Sequence, residues 1–175
     1  MQLPADGTRK FVFASVLCGI ALALSLIDSA ISSAIFPLPG FKLGLANIVS
    51  LFAIYTLGFS YAFLILVVRS LVTALLSGNV TMLFFSLAAG AASIVVMWLL
   101  VGRLSIIKTS VTGSVCHNAV QVAVAMVITS TPQVAYYMPI LIAAGTLSGF
   151  AMGALCTLII RRLKIPTIQH PWRIT

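Results

Sequence analysis

Apolar residues in this chain come in long unbroken runs, and the polar residues inside those runs recur at helical spacing. A hydrocarbon core of roughly 30 Å is crossed by about 20 residues rising 1.5 Å each, so such runs predict spanning helices. Six are expected. The first covers 11–35 and ends at the Pro37-Leu38-Pro39-Gly40 turn. The second, 43–57, is short for a full crossing and closes at Gly58-Phe59-Ser60. The third (61–77), fourth (82–101), fifth (109–131) and sixth (138–160) follow, separated by Ser77-Gly78-Asn79, Gly102-Arg103 and a loop holding Pro132 and Tyr136-Tyr137. Because the runs are continuous and not alternating, a β-barrel is not indicated. The pattern predicts an all-α integral membrane protein, a six-helix bundle in one membrane domain spanning 1–175, with a basic tail over 161–175.

Charge supplies the orientation. Ten Lys and Arg face two acids, Asp6 and Asp28, in a chain that is 61% hydrophobic and only 7% charged. An ordinary soluble domain is about a quarter charged. With the N-terminus in the cytoplasm, Arg9, Lys10, Arg103, Lys108, Arg161, Arg162, Lys164 and Arg173 lie inside and Lys42 outside, as the positive-inside rule requires. Both termini are then cytoplasmic, in a bacterial cell membrane. The basic residues mark the ends of apolar runs and form no clustered polar face, which speaks against nucleic-acid binding. The first run is too long for the hydrophobic segment of a cleaved signal peptide and carries Asp28. Cys18, Cys116 and Cys156 stand apart, with no C-x-x-C spacing, and read as small buried hydrophobes.

Several helices carry two kinds of stripe. Small residues four apart, which let helices approach closely in lipid, occur as Ser15, Gly19 and Ala23 on the first helix and as Gly145, Gly149 and Gly153 on the sixth. The second set is expected to pack within the chain; the first fits either internal packing or a partner subunit. Polar stripes occur as Ser25, Asp28, Ser29 and Ser32; as Arg69, Ser70, Thr73 and Ser77; and as Ser110, Ser114, His117, Asn118 and Gln121. An arginine at membrane depth costs at least about 2.5 kcal/mol, so Arg69 should face the bundle interior and find acceptors. Counting from the cytoplasmic helix ends puts Arg69 and His117 each about 12 Å deep and Asp28 about 25 Å deep. Arg69 therefore either reaches outward to Asp28 or meets Gln121, Asn118, hydroxyls, carbonyls or an anionic ligand. His117, Asn118 and Gln121 read singly as hydrogen-bonding glue between helices and together as a pocket wall. No metal site is expected, since no carboxylates complete a shell around His117.

The segments PGFKLGLANIVSLFAIYTLG, VRS, FSLAAG, HNAVQ and YYMP together resemble the membrane family called Gx transporters, also labelled heptaprenyl diphosphate synthase component I. The resemblance runs over about 11–163 and is sharpest at KLGLAN, residues Lys42 to Asn47, and at HNxxQ, His117, Asn118 and Gln121. It implies the six-helix fold of the substrate-binding S components of energy-coupling factor (ECF) transporters. It further implies uptake of a small molecule, with a transmembrane coupling protein and two ATPases as partners. In such proteins an Ala-x-x-x-Ala stripe on the first helix docks on the coupling protein, and Ser15, Gly19 and Ala23 stand in its place here. The implied pocket puts Lys42, Asn47 and Asp28 at the outer entrance and Arg69, His117, Asn118 and Gln121 toward the middle.

The synthase label has its own chemical test. A prenyl diphosphate synthase holds magnesium through clustered aspartates that bridge metal and diphosphate, and Asp6 and Asp28 cannot build that cluster. The chain is thus expected to be neither the condensing enzyme nor any other, with no catalytic residues and no cofactor. It also has no P-loop, so ATP dependence must come from other chains. The rival expectation is an accessory membrane subunit of an isoprenoid or quinone pathway, with a soluble prenyl synthase bound to its basic tail.

Overall fold

A computed structural model describes residues 7–35, 44–165 and 167, the side chains of 33–35 excepted. Six α-helices follow one another: α1 (Gly7–Ile35), α2 (Asn47–Thr56), α3 (Phe59–Ser77), α4 (Val80–Leu100), α5 (Ile106–Thr129) and α6 (Met138–Arg162). A short 3-10 helix, Pro132–Tyr137, leads into α6. Five of the six are long and apolar enough to cross a membrane, and the protein is a multi-pass helical bundle. The expected second span is different: α2 has 10 residues, about 15 Å, or half a hydrocarbon core.

Local chemistry sets the turns. Gly78, with φ 62°, takes the left-handed position that ends α3. The next residue, Asn79, caps α4 by accepting from the amides of Thr81 and Met82. Ser105 caps α5 by accepting from Lys108 N–H at 3.4 Å. Arg161 and Arg162 fall in the last turn of α6, where cations suit the carbonyl end of a helix.

The long helices form an open horseshoe, in which α1 packs on α3, α3 on α4, α4 on α5 and α5 on α6. The ends of this row, α1 and α6, do not pack on each other. Helix α2 fills the middle and touches all five, and every one of its residues is buried. A helix that is apolar all round belongs in an interior, and α2 carries only Asn47, Ser50 and Thr56 among Ile, Val, Leu, Phe, Ala and Tyr. Two ties fix its direction. Gly44 and Leu45, just ahead of it, donate to Asp28 near the far end of α1, and Tyr55 donates to Thr109 Oγ1 in the first turn of α5 at 3.3 Å. Since α3 turns into α4, α4 into α5, and α5 into an antiparallel α6, the start of α1 and the end of α6 lie at the same end of the bundle.

The α5–α6 seam is the tightest contact. A Cβ added at Gly149 would lie 2.8 Å from Val111 Cα, and one at Gly153 would lie 2.8 Å from Ile107 Cα. At Gly145 it would lie 2.7 Å from Asn118 Nδ2. Each step back along α6 meets a step forward along α5, so the helices are antiparallel with their backbones nearly touching. Two further close approaches, Gly90 against Leu66 and Gly113 against Met97, knit α3 to α4 and α4 to α5.

Candidate functional site

Helix α1 brings Ser25, Asp28 and Ser32 to one buried line, as the i, i+3, i+7 spacing requires. The Asp28 carboxylate accepts from Gly44 N–H at 2.9 Å and Leu45 N–H at 3.1 Å on one oxygen and from Ser32 Oγ–H at 3.2 Å on the other. Charged acceptors make the stronger class of hydrogen bond, so Asp28 clamps the strand of chain that enters α2. Gly44 makes this geometry available: its φ is 85°, a conformation that costs a residue with a Cβ about 1–2 kcal/mol. The Gly-Leu-Ala-Asn part of KLGLAN is thus the backbone loop that seats on Asp28 and starts α2 at Asn47.

Helix α3 contributes Arg69, which is buried and donates through Nη1 to Ser25 Oγ at 2.8 Å. Arg69 also lies within the attractive field of Asp28. The sequence-based depths had set these two residues about 12 Å apart. They are closer, because Arg69 reaches Ser25, one turn below Asp28. Those depths assumed that the first and third spans begin at one level. Ser25 stands 14 residues into the expected first span and Arg69 8 residues into the third, so their contact sets α1 lower against α3 than equal starting levels imply.

Asn47, at the first position of α2, is buried, and its Nδ2 has no hydrogen-bond partner. The same holds for Arg69 Nε, Ser70 Oγ and Thr73 Oγ1. Leaving a buried polar group without a partner costs about 1–3 kcal/mol, so these four groups are a substantial burden.

Helix α5 buries Ser110, Ser114, His117, Asn118 and Gln121 on one side. Asn118 donates through Nδ2 to Leu141 O at 2.6 Å and therefore ties α5 to α6. It works at least in part as interhelical glue. Level can be counted from the Tyr55–Thr109 tie: Asn47 stands eight residues above Tyr55, and His117 eight above Thr109, each about 12 Å. Asn47, His117 and the Arg69–Ser25 pair consequently share a layer at the leading end of α2. Helices α3 and α5 do not pack on each other. The expected residues thus form two banks, Arg69 with Asp28 on one side and His117, Asn118 and Gln121 on the other, with α2 between them.

Lys42 lies outside the described residues. Ser15, Gly19 and Ala23 are exposed, and Ser15 bonds only to Phe11 O of its own helix. Ser15 and Gly19 line a cavity of 350 Å³ between α1 and α3, with Leu64, Val68 and Arg69 on the facing wall. The stripe therefore does not pack within this chain. Tyr136 and Tyr137 are also exposed, on the 3-10 helix at one end of the bundle. Among the described residues no group of three or more His, Cys, Asp or Glu is placed to hold a metal ion.

Sequence reasoning missed Ser86 and Ser93 of α4, both buried, of which Ser93 donates to Gly113 O at 2.9 Å. It also missed Tyr55–Thr109. Single hydroxyls on apolar helices make no stripe, so periodicity gives no sign of them.

Residues 17–159 match the family described as heptaprenyl diphosphate synthase component I. The chain belongs to that family. No curated protein and no solved structure matches it. Family membership joins the chain to a synthase by name, while the bundle carries the build of a membrane component.

Proposed function

We propose that this family member is a substrate-binding membrane subunit that takes up a small solute, an S component of the ECF type working as a single domain in the bacterial cell membrane. The observation that carries the reading is the layer at the leading end of α2. There Nε of the buried Arg69 guanidinium, Asn47 Nδ2, Ser70 Oγ and Thr73 Oγ1 are buried donors and hydroxyls with no hydrogen-bond partner in the protein. Their cost is offset if a polar ligand bonds to them. Arg69 would pair with an anionic group, while Asn47, His117, Asn118 and Gln121 would orient the rest of the molecule. Asp28 would fix the start of the chain into α2 through Gly44 and Leu45, and Lys42 would serve the outer entrance. The exposed Ser15-Gly19-Ala23 flank of α1 would receive a helix of the coupling protein, which in turn would bring the ATPases. In this role the subunit catalyses nothing itself.

Native mass spectrometry of the purified protein tests the reading. A small molecule bound to the parent and lost from Arg69→Ala, with both proteins folded, is the expected result. Absence of any bound species from the parent under every solvent and lipid condition overturns it. Co-purification with an ATPase module tests the coupling step separately.

A second reading draws on the family description: a non-catalytic accessory subunit that holds a soluble prenyl synthase at the membrane through its basic cytoplasmic end. It expects the synthase to co-purify and Arg69→Ala to disturb folding with no ligand at stake.

A further inference from the structure

In the cavity between α1 and α3, apolar walls meet a charge with a bond to spare. Its 350 Å³ falls at the small end of the roughly 300–1,000 Å³ of small-molecule pockets. Of the described residues that line it, only Ser15 and Cys18 join Arg69 in carrying a polar side-chain atom. The Ser15 hydroxyl is spent on Phe11 O of its own helix, which leaves Arg69 as the strong donor in the wall. Arg69 is 4% exposed, its Nη1 is bonded to Ser25 Oγ, and its Nε has no hydrogen-bond partner. Nε belongs to the side edge of the guanidinium, away from Nη1, and that edge can meet a carboxylate through two parallel N–H bonds.

Depth and direction set this donor apart from the bilayer's own lipids. Arg69 stands ten residues from Phe59 and eight from Ser77, about 15 and 12 Å from the two ends of α3, so its charge lies near mid-membrane. Beyond Arg69 only Val72 continues the lining on α3, while the α1 wall runs back from Leu22 to Phe11, eleven residues or about 16 Å. A ligand with its head at Arg69 therefore points its body toward the end of the bundle where α1 begins. A lipid of the leaflet at that end points the opposite way, and one of the other leaflet keeps its head at the surface, about 12 Å beyond Arg69. Neither brings a headgroup to the guanidinium. The mouth of the cavity faces the side of the bundle, with Ser15, Gly19, Leu64 and Val68 exposed along it.

We propose that the solute bound at Arg69 is a small apolar monocarboxylic acid, its carboxylate on the Nε edge and its body in the α1–α3 cavity, entering sideways from the bilayer. The inference rests on the solute reading above and narrows its ligand to one class. A single cation in an apolar wall suits a single negative charge, since a second would lie unpaired in hydrocarbon. The attraction of Asp28 already offsets part of the Arg69 charge, which limits the site further to one added anion. An apolar acid partitions into the bilayer by itself and so reaches a mouth that opens to lipid.

The test uses the isolated full chain in phosphatidylcholine nanodiscs, with radiolabelled octanoate as probe and scintillation proximity as readout. Saturable binding is expected, with octanol and the dicarboxylate suberate each weaker by at least about tenfold. Excess phosphatidylglycerol should leave the probe bound. Gly19→Leu, whose added carbons find open space at the cavity wall, should weaken octanoate at least about tenfold with the fold intact. Arg69→Lys keeps the charge but loses the side-by-side donors, and should weaken binding by a similar factor. If the Arg69 variant does not fold, Gly19→Leu decides the matter by itself. The inference is overturned if octanoate fails to bind, if octanol binds as tightly, if phosphatidylglycerol displaces the probe, or if Gly19→Leu binds like the parent. In any of these cases a co-purified molecule that is lost from Arg69→Ala leaves the solute reading standing, whereas absence of any bound species overturns both.

Discussion

Two helices of this bundle carry small residues at the same four-residue spacing, and they meet opposite fates. On α6, Gly145, Gly149 and Gly153 are buried against α5 with no room for a single added carbon. On α1, Ser15, Gly19 and Ala23 are exposed, and a Cβ at Gly19 would meet nothing within 4 Å. The comparison teaches that the spacing marks a surface able to approach a helix closely without choosing which helix. In lipid, where apolar faces gain little from leaving the solvent, shape complementarity and polar contacts make the choice. The α6 stripe has its partner in the chain. The α1 stripe is open, and α1 is held instead by packing on α2 and α3 and by polar ties, Asp28 to the Gly44 loop and Ser25 to Arg69.

Four substitutions put that contrast at risk, the strongest first. Gly149→Val should cost about 3 kcal/mol, because the methyls collide with the α5 backbone and not with a side chain that can turn away. A thermal unfolding midpoint in detergent equal to the parent's would show the seam to be looser than described. Asp28→Asn keeps the shape but weakens bonds to Gly44, Leu45 and Ser32, for about 2 kcal/mol. Its signature is faster amide exchange at the start of α2 with the α5–α6 seam unchanged, and exchange confined to the seam would refute it. Gly145→Ala should cost about 1 kcal/mol, since the new carbon meets Asn118 Nδ2 and disturbs its bond to Leu141 O. Combining it with Asn118→Leu should give a loss smaller than the sum, and strict additivity would mean that the two do not interact. Gly19→Leu should change the stability of the isolated protein by less than about 0.5 kcal/mol. The same variant should fail to assemble with a membrane partner that the parent captures; if it unfolds, α1 packs internally after all.

The long helices were legible because a spanning segment announces itself by length and hydropathy, and α1, α3, α4, α5 and α6 fall within four residues of the expected bounds. The α6 seam was legible for a related reason, three glycines in register having little other use in a helix. What the sequence could not convey was depth. Residues 43–57 look like a short span, and nothing local says that Gly44 is spent on a turn or that the chain reverses halfway. Equal starting levels for the first and third spans separated Arg69 from Asp28 on paper, whereas Arg69 meets Ser25 one turn from Asp28. The polar stripes themselves were readable, and Ser25, Asp28, Arg69, His117, Asn118 and Gln121 are all buried. Their partners were not, because Asn118–Leu141 and Asp28–Gly44 involve backbone groups that leave no trace in side-chain periodicity.

The half-length of α2 also bears on how the protein is made. A segment of ten helical residues is too short to be partitioned into the bilayer by its own hydropathy. During synthesis it must therefore wait, sheltered near the insertion machinery or at the membrane surface, until enough of the surrounding helices have arrived to enclose it. Because α2 also touches α6, which emerges after the other five, its final burial waits for that helix. Truncation before α6 should then leave a chain that is inserted yet readily degraded.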